Sequence, residues 1–294
     1  MVETKRRLAE KSSRTAGFTC MCRAASYLSK DPHYTSDDYI APRLLPRLAL
    51  MALKTGVMNF NLPPFPRGML EYVIARTKYI DDVVERALRQ GADQILLFGA
   101  GFDSRAVRFG GMNTHTTFFE LDTHNTLNAK MKQFQKRMIP WPERTIIIPV
   151  DFNVDPLKET ILRSGFDPGK RTLFILEGIT MYLETETIDQ LFTLLYEISG
   201  PDSSLVFDYI YAPVLRRENL YYGEKSIYKT VNRAREAWRF GIEPGAIECF
   251  VEGFGFHLTE HLTPEDMEER YFTDVSGKLL GRMNGTHCLA FMKK

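Results

Sequence analysis

Short apolar runs recur through the middle of the chain. Five of them consist largely of aliphatic and aromatic residues, at 94–98 (QILLF), 116–121 (TTFFEL), 145–150 (TIIIPV), 172–176 (TLFIL) and 204–207 (SLVF). Apolar runs without polar alternation are typical of strands that are buried on both faces, as in a parallel sheet. A further run at 286–292 (THCLAFM) predicts a last strand near the C-terminus.

Between these runs, apolar residues recur every three or four positions, which predicts amphipathic helices. Two such stripes are Leu127, Met131, Phe134 and Met138, and Ile188, Leu191, Leu195 and Ile198. Strands that alternate with crossover helices predict an α/β fold with a doubly wound, mostly parallel sheet.

The flanking segments differ from this middle part. The length of the chain fits a single domain over 1–294, in which residues 1–90 form a mostly helical N-terminal cap. Residues 209–245 interrupt the pattern. They contain five tyrosines and one tryptophan among many charged residues, which include Arg233, Arg235 and Arg239. We expect this insertion to be a lid, because insertions after a strand overhang the usual ligand site. A solvated helical insertion is the alternative.

Composition narrows the class of protein. The 294 residues include 38 Lys+Arg and 37 Asp+Glu, so the net charge is +1. A content of 44% hydrophobic and 26% charged residues is that of a folded globular protein and excludes a disordered one. The balanced charge argues against nucleic acid as a partner.

The cysteines and the N-terminal sequence indicate the cellular compartment of the protein. Cys20, Cys22, Cys249 and Cys288 form neither a disulfide framework nor a paired zinc motif, so we expect reduced thiols and no metal site. The N-terminal sequence lacks the apolar stretch of a secretion signal, and no apolar run is long enough to span a bilayer. We therefore expect a cytoplasmic protein without a membrane partner.

Glycines and carboxylates follow the predicted strands, where open parallel sheets bind their ligands. Gly99-Ala100-Gly101 follows the first strand, and its glycines allow a tight turn close to a ligand. Glu120 and Asp122 lie at the end of the next strand, where a carboxylate can accept hydrogen bonds from ribose hydroxyls. This combination predicts a ligand that contains adenosine. Asp122 as a helix cap is the alternative.

Further carboxylates indicate which adenosine-containing ligand the site binds. Asp103 follows the glycine loop, Asp151-Phe152 the third strand and Glu177-Gly178 the fourth. A dinucleotide site usually has Gly or Ala as its third loop residue and a helix start that binds phosphate. Here the third residue is Ser104, and the neighbouring Asp103 would repel a phosphate anion. An acidic rim suits the sulfonium and ammonium groups of S-adenosylmethionine. Asp103 as a helix cap and Phe152 as a core residue are the structural alternatives.

Four ordered motifs carry a resemblance to a known family. They are 75–82 (ARTKYIDD), 97–105 (LFGAGFDSR), 119–122 (FELD) and 176–183 (LEGITMYL). Together they resemble the leucine carboxyl methyltransferase family, which uses S-adenosylmethionine. Residues 14–16 (RTA) and 23–24 (RA) resemble its bacterial branch of tetracenomycin-type polyketide O-methyltransferases. The resemblance implies a seven-stranded Rossmann-like methyltransferase sheet.

The resemblance also implies roles for individual residues. Arg76 matches the arginine that holds the methionine carboxylate, Asp122 the ribose-binding acid, and Glu177 the acid near the methionine amino group. Asp151-Phe152 matches the pair beside adenine, where the family often has Asp-Leu, and Tyr182 matches an aromatic position near the transfer pocket. The remaining candidates for the cofactor site are Gly99, Ala100, Gly101, Asp103, Glu120 and Gly178.

The resemblance leaves two acceptor classes open. A carboxylate of a small metabolite or peptide terminus is the first expectation, because it is already an anion and needs no general base. Arg76, Lys78 or Arg105 could hold it. A hydroxyl would need a base or polarising donor, such as His124 or Tyr182. A noncatalytic cofactor-binding relative, a nicotinamide-dependent oxidoreductase and a tRNA-modifying enzyme are weaker alternatives.

Overall fold

A single seven-stranded sheet forms the centre of the computed structural model, which describes residues 14–60, 65–152, 155–234 and 237–294. Its strands are β1 (Gln94–Phe98), β2 (Thr117–Asp122), β3 (Thr145–Pro149), β4 (Thr172–Leu176), β5 (Ser204–Ile210), β6 (His257–Leu262) and β7 (His287–Lys293). The strand order is β3-β2-β1-β4-β5-β7-β6. Neighbours from β3 to β5 are parallel, and β7 pairs antiparallel with β5 and β6. This sheet confirms the predicted fold class.

Helices cover both faces of the sheet. They are α1 (Arg14–Leu28), α2 (Ala41–Leu44), α3 (Arg47–Lys54), α4 (Met69–Arg89), α5 (Arg105–Phe109), α6 (His124–Lys136), α7 (Leu157–Arg163), α8 (Thr185–Glu197), α9 (Ala212–Leu215), α10 (Glu224–Ala234), α11 (Ile247–Glu252) and α12 (Pro264–Phe272). A short 3-10 turn spans Thr180–Tyr182. Within the described ranges, none of these helices has the length and apolar character needed to cross a membrane.

The central strands are apolar at successive positions because each of their faces meets a different core. Phe98 and Phe174 face the core formed with α7, α8 and α11. Leu97 and Ile175, their neighbours in sequence, face the core formed with α4 and α12. Burial on both faces removes the polar alternation that a half-exposed strand would show.

Several predicted strand boundaries are wrong by one to three residues, and one strand was missed. β2 and β7 each begin one residue later than predicted, and β5 continues to Ile210. β6 was not predicted, because its sequence HLTEHL mixes polar and apolar residues. That composition fits its place at the edge of the sheet, where it pairs only with β7 and most of its residues are partly exposed.

The predicted stripe on α6 is wrong at two of its four positions. Met131 is 45% exposed, and Met138 lies beyond the helix with a φ of 50° and is 86% exposed. Lys130 is the buried residue instead, because its ammonium group pairs with Glu120 of β2. The stripe on α8 is buried as predicted.

The insertion at 209–245 begins within β5 and then returns to the sheet. Its last part is bound to the sheet by backbone hydrogen bonds, from Ala212 N to Ile242 O at 2.9 Å and from Ile242 N to Ile210 O at 3.0 Å. Arg239 N also donates to Met181 O at 2.7 Å, in the turn after β4. The side chains of Arg14, Arg233 and Arg235 lie outside the described part.

Replacement of Phe192 by alanine tests the packing of α8 on the sheet. Phe192 is fully buried and makes edge contacts with Phe207 and Phe250 at centroid distances of 5.2 Å. We expect Phe192→Ala to lower the free energy of unfolding by about 3–5 kcal/mol, measured by chemical denaturation. Thr193→Ala, on the exposed side of the same helix, should change it by less than about 0.5 kcal/mol. Equal effects of the two substitutions would contradict this packing.

Candidate functional site

The carboxyl ends of β1 and β4 lie side by side near the centre of the sheet. From this pair, the strand order runs to β2 and β3 on one side and to β5 and β7 on the other. Such a switch in strand order opens a crevice where α/β sheets bind their ligands. The loops after β1, β2 and β4 and the middle of α4 meet at this crevice, and they contain most of the predicted site residues.

The glycine loop after β1 has the backbone conformation that only glycine adopts readily. Gly99 has a φ of +65° and Gly101 a φ of +50°. A Cβ atom on Gly99 would lie 3.2 Å from Cδ1 of Ile179, which is a tight contact. Ala100, buried between them, donates its N–H to Leu121 O at 2.9 Å. The loop is therefore fixed against the end of β2.

Asp122 joins this loop to β2. Its Oδ2 accepts a hydrogen bond from Gly101 N at 2.7 Å, and its Oδ1 accepts one from Thr123 N at 2.6 Å. Thr123 is the N-cap of α6, since its hydroxyl accepts from Thr126 N. The alternative of Asp122 as that helix cap is therefore wrong. Burial raises the pKa of Asp122, although hydrogen bonds from these N–H groups oppose the shift.

Glu120 lies on the same strand but is paired within the protein. Its Oε2 is 2.5 Å from Nζ of Lys130, and both side chains are 1% exposed. Burial raises the pKa of Glu120, and the neighbouring ammonium group opposes that effect. The pair holds α6 against β2 directly behind the acidic rim.

Arg105 is surrounded by three carboxylates. Its guanidinium lies 2.7 Å from Asp81, 2.5 Å from Asp103 and 2.6 Å from Glu177, and the side chain is 1% exposed. Asp103 also accepts a hydrogen bond from Arg105 N at 2.6 Å, but the N-cap of α5 is Ser104, so the alternative of Asp103 as the helix cap is wrong. All of Arg105's neighbouring anions are thus supplied by the protein.

Arg76 of α4 bridges the ends of β4 and β5. Its Nη1 lies 2.7 Å from Oδ2 of Asp208, and its Nε lies 3.0 Å from Oε1 of Glu177. The Nε contact has the distance of an ion pair but not the direction of a hydrogen bond, so this buried N–H has no hydrogen-bond partner among the residues that the structure describes. Asp208 Oδ1 accepts from Gly178 N at 2.6 Å, which fixes the turn after β4.

Two outer ion pairs extend this cluster to the N-terminal helices. Arg23 lies 2.9 Å from Asp38, and Arg108 lies 2.6 Å from Asp81. We call the whole cluster the ion network. Its members are Arg23, Arg76, Arg105, Arg108, Asp38, Asp81, Asp103, Glu177 and Asp208.

The ion network has an excess of negative charge. Its four guanidinium groups face five carboxylates, a formal excess of one negative charge. Burial alone would raise the pKa of Asp103, but neighbouring arginines outweigh it and lower the pKa to about 2. Arginines likewise lower the pKa of Glu177. These carboxylates therefore stay ionised, and the crevice attracts a cation.

The other predicted residues lie around this centre. Phe152 packs beside Phe98 at a centroid distance of 6.2 Å and lines a groove of about 510 Å³ between α7 and α8. Asp151 precedes it, and its N–H donates to Asp155 Oδ2 at 2.8 Å. Tyr182 packs against the core under α8. Lys78 donates to the carbonyl oxygen of His33 at 2.7 Å.

Asp208 and Asp38 are central residues that the sequence analysis missed. Both are fully buried, and each accepts hydrogen bonds from an arginine. The available signal for Asp208 was a carboxylate directly after an apolar strand, as for Asp122, because the predicted fifth strand ends at Phe207. Asp38 follows no strand, so no comparable signal existed.

Substitution of Arg105 tests how far the fold depends on the ion network. Arg105→Leu would leave Asp81, Asp103 and Glu177 without their shared cation in a buried place, so we expect a loss of about 3–5 kcal/mol in the free energy of unfolding. Arg89→Leu is the matched control, because Arg89 pairs with Glu85 on the surface and should contribute about 1 kcal/mol or less. Chemical denaturation of both variants measures the difference, and a loss at Arg105 no larger than at Arg89 would contradict the assignment.

Comparison with known proteins identifies the family of the chain. The family model for leucine carboxyl methyltransferase matches residues 17–196, more than half of the chain. A Bacillus subtilis protein provisionally named as the S-adenosyl-L-methionine-dependent methyltransferase YktD is 26% identical over 223 residues, covering 76% of this chain and 71% of the relative. A Mycobacterium marinum protein with the same provisional activity is 27% identical over 248 residues, covering 82% and 78%.

Solved structures show the same fold. A protein from Thermobifida fusca that is provisionally described as a methyltransferase has a TM-score of 0.57 at 17% sequence identity. The match covers 96% of this chain and 97% of that protein. A protein of the DUF574 family from Streptomyces avermitilis has a TM-score of 0.56 at 15% sequence identity. The match covers 97% of this chain and 98% of that protein. The ordered motifs, the acidic crevice and the matched family model lead to one conclusion: the chain belongs to the leucine carboxyl methyltransferase family of S-adenosyl-L-methionine-dependent methyltransferases.

Proposed function

We propose that S-adenosylmethionine binds across the carboxyl ends of β2, β1 and β4. Asp122 accepts hydrogen bonds from the ribose hydroxyls, and the backbone of the Gly99–Gly101 loop lies against the cofactor. Asp151 and Phe152 lie beside the adenine. The positive φ values of the two glycines, the Asp122 carboxylate between β1 and β2, and the groove beside Phe152 support this orientation.

The methionine end is proposed to lie at Arg76 and Glu177. Within the described part of the chain, the buried Nε–H of Arg76 has no hydrogen-bond partner, which suits a carboxylate. Glu177 is held ionised and suits an ammonium group. When bound, the cofactor supplies an electrophilic methyl group on a cationic sulfur, and the negative excess of the ion network favours that charge.

We propose that three residues support the cofactor site indirectly, through the residues that border it. They are Asp103, Glu120 and Gly178. Asp103 orders the start of α5 and holds Arg105, while Glu120 and Lys130 fix α6 against β2. Gly178 orients the turn after β4 through its hydrogen bond to Asp208. Each role follows from contacts with residues that border the crevice.

We propose that the acceptor atom is an oxygen of a small molecule. A carboxylate acceptor was the first expectation, and it needs a cation. Arg105 already faces three carboxylates and leaves only its Nη2 without a hydrogen-bond partner among the described residues, Lys78 donates to a backbone carbonyl, and Arg76 is proposed for the cofactor. The net negative charge of the crevice also opposes an anionic acceptor. These observations favour a hydroxyl over a carboxylate.

The flanking segments are proposed to enclose the acceptor. Residues 1–90 form the cap, and 209–245 the lid, whose last part is hydrogen-bonded to the turn after β4 next to Tyr182. Tyr182 is proposed to line the transfer pocket.

The cytoplasm is the proposed compartment, since all four cysteines are free thiols. A noncatalytic relative is the alternative, and methyl transfer to any acceptor excludes it.

Asp122→Asn tests the proposed ribose contact. The substitution removes the charge but retains an oxygen acceptor, so we expect the Kd for S-adenosylhomocysteine to rise about 10- to 100-fold, as for the loss of hydrogen bonds to a charged group. Asp202→Asn makes the same chemical change at an exposed turn before β5, at the opposite edge of the sheet, and should leave Kd unchanged. Calorimetry measures both, and an unaltered Kd for Asp122→Asn would remove Asp122 from the site.

The stability of the methylated product distinguishes the two acceptor classes. We expect S-adenosylmethionine labelled in its methyl group to transfer label to alcohols or phenols in a panel of paired alcohols and acids. The label should remain on the product in alkali, because a methyl ether resists hydrolysis. Release of labelled methanol in alkali would instead identify a methyl ester and a carboxylate acceptor.

A further inference from the structure

Asp208 is a fully buried carboxylate of β5 that is shared by donors from two other elements. Its Oδ2 accepts hydrogen bonds from the hydroxyl of Tyr72 at 2.5 Å and from Nη1 of Arg76 at 2.7 Å, both on α4. Its Oδ1 accepts one from Gly178 N at 2.6 Å, in the turn after β4. Both oxygens of Asp208 thus serve donors of the protein, which suits a residue that supports a binding group more than one that contacts a ligand.

Tyr72 supports the same arginine from the side of α4. It precedes Arg76 by four residues, which places the two side chains next to each other on the helix. The Cζ atom of Arg76 lies over the Tyr72 ring, 5.2 Å from its centroid. Burial raises the pKa of Tyr72 and the charge of Asp208 adds to the shift, so the hydroxyl stays protonated and donates. Tyr72 is 1% exposed, so its ring is held firmly in place.

Gly178 brings the backbone of the turn close to the guanidinium of Arg76. Its φ is +67°, a conformation that glycine adopts readily. A Cβ atom at this position would lie 3.2 Å from Nη1 of Arg76, which is a tight contact. The hydroxyl of Thr180 donates to Asp208 O at 2.5 Å and joins the turn to β5 a second time. The turn therefore forms a fixed wall on one side of the guanidinium.

These contacts determine which part of the guanidinium can meet a ligand. Nη1 of Arg76 is bound by Asp208, the Tyr72 ring lies beside the group, and Gly178 borders it. The buried Nε–H is left without a hydrogen-bond partner among the residues described. Hydrogen bonds depend strongly on direction, so the orientation of the guanidinium decides whether a carboxylate can bind there. A long, flexible arginine side chain would otherwise lose affinity through its conformational freedom.

We propose that Asp208 is a positioning residue of the cofactor site, which together with Tyr72 holds Arg76 in the orientation in which its Nε–H meets the carboxylate of the methionine end. This inference rests on the proposed function, because that function assigns Arg76 to the methionine end. It adds that part of the affinity for this end comes from a side chain of β5 that does not touch the cofactor. The alternative is that Asp208 only stabilises the fold as the partner of a buried cation.

Two ligands distinguish positioning from a structural role. S-adenosylhomocysteine has both the adenosine part and the methionine-derived end. 5′-Methylthioadenosine has the same adenosine and sulfur but lacks the amino and carboxylate groups. General damage to the fold weakens the binding of both ligands, whereas a misplaced Arg76 weakens only that of S-adenosylhomocysteine. The ratio of the two Kd values, measured by calorimetry on the full chain, therefore reports on the methionine end alone.

Asp208→Asn and Tyr72→Phe are the test variants. Asn keeps the shape of Asp but replaces one acceptor oxygen by a donor, so at least one hydrogen bond to Asp208 is lost. We expect the Kd for S-adenosylhomocysteine to rise about 5- to 20-fold, and that for 5′-methylthioadenosine to change by less than about twofold. Tyr72→Phe removes only a hydroxyl and should raise the first Kd about 3- to 5-fold. It is the deciding variant where Asp208→Asn does not fold.

Two controls separate the possible failures. Arg76→Gln removes the guanidinium itself and should change the ratio at least as much as Asp208→Asn. An unchanged ratio in Arg76→Gln, or no binding of S-adenosylhomocysteine to wild type, would refute the proposed function. Asp38→Asn is the matched control, because Asp38 is equally buried but pairs with Arg23, and it should leave the ratio unchanged.

With an effect of Arg76→Gln established, three results overturn the inference. The first is an Asp208→Asn variant that weakens both ligands equally or neither. The second is an unchanged ratio in Tyr72→Phe where Asp208→Asn does not fold. The third is an Asp38→Asn variant that changes the ratio as much as Asp208→Asn does.

Discussion

The burial of carboxylates at the carboxyl edge of the sheet is the constraint on which the rest of the structure depends. Glu177 directly follows β4, Asp208 lies in the adjacent strand β5, and Arg76 pairs with both from α4. Buried charges require such partners, because an unpaired one would cost several kcal/mol. The site and the packing of α4 on the sheet are therefore specified by the same contacts.

The ion network also attaches the N-terminal helices to the sheet. Arg23 of α1 pairs with Asp38 and donates to the carbonyl oxygen of Phe102 in the glycine loop. Asp81 of α4 joins Arg105 and Arg108 of α5. A movement of the cap would thus alter the glycine loop. Under the proposed binding mode, the negative excess of the network favours a cationic cofactor.

The sequence predicted the fold and the acidic rim well, because apolar strands and the residues that follow them are local features. Asp122 and Glu177 were found in this way. Local patterns could not reveal that Arg105 is enclosed by Asp81, Asp103 and Glu177, since the last of these lies 72 residues away. Asp208 directly follows the predicted fifth strand, but its pairing with Arg76 of α4 joins residues 132 positions apart and leaves no local pattern.

The central claim is that the crevice between β1 and β4 holds S-adenosylmethionine with its methionine end at Arg76. A crystal structure of the complex with S-adenosylhomocysteine tests this most directly. The account predicts ribose density within hydrogen-bond distance of Asp122 and a carboxylate within hydrogen-bond distance of Nε of Arg76. Density at another edge of the sheet, or a methionine end without contact to Arg76, would contradict it.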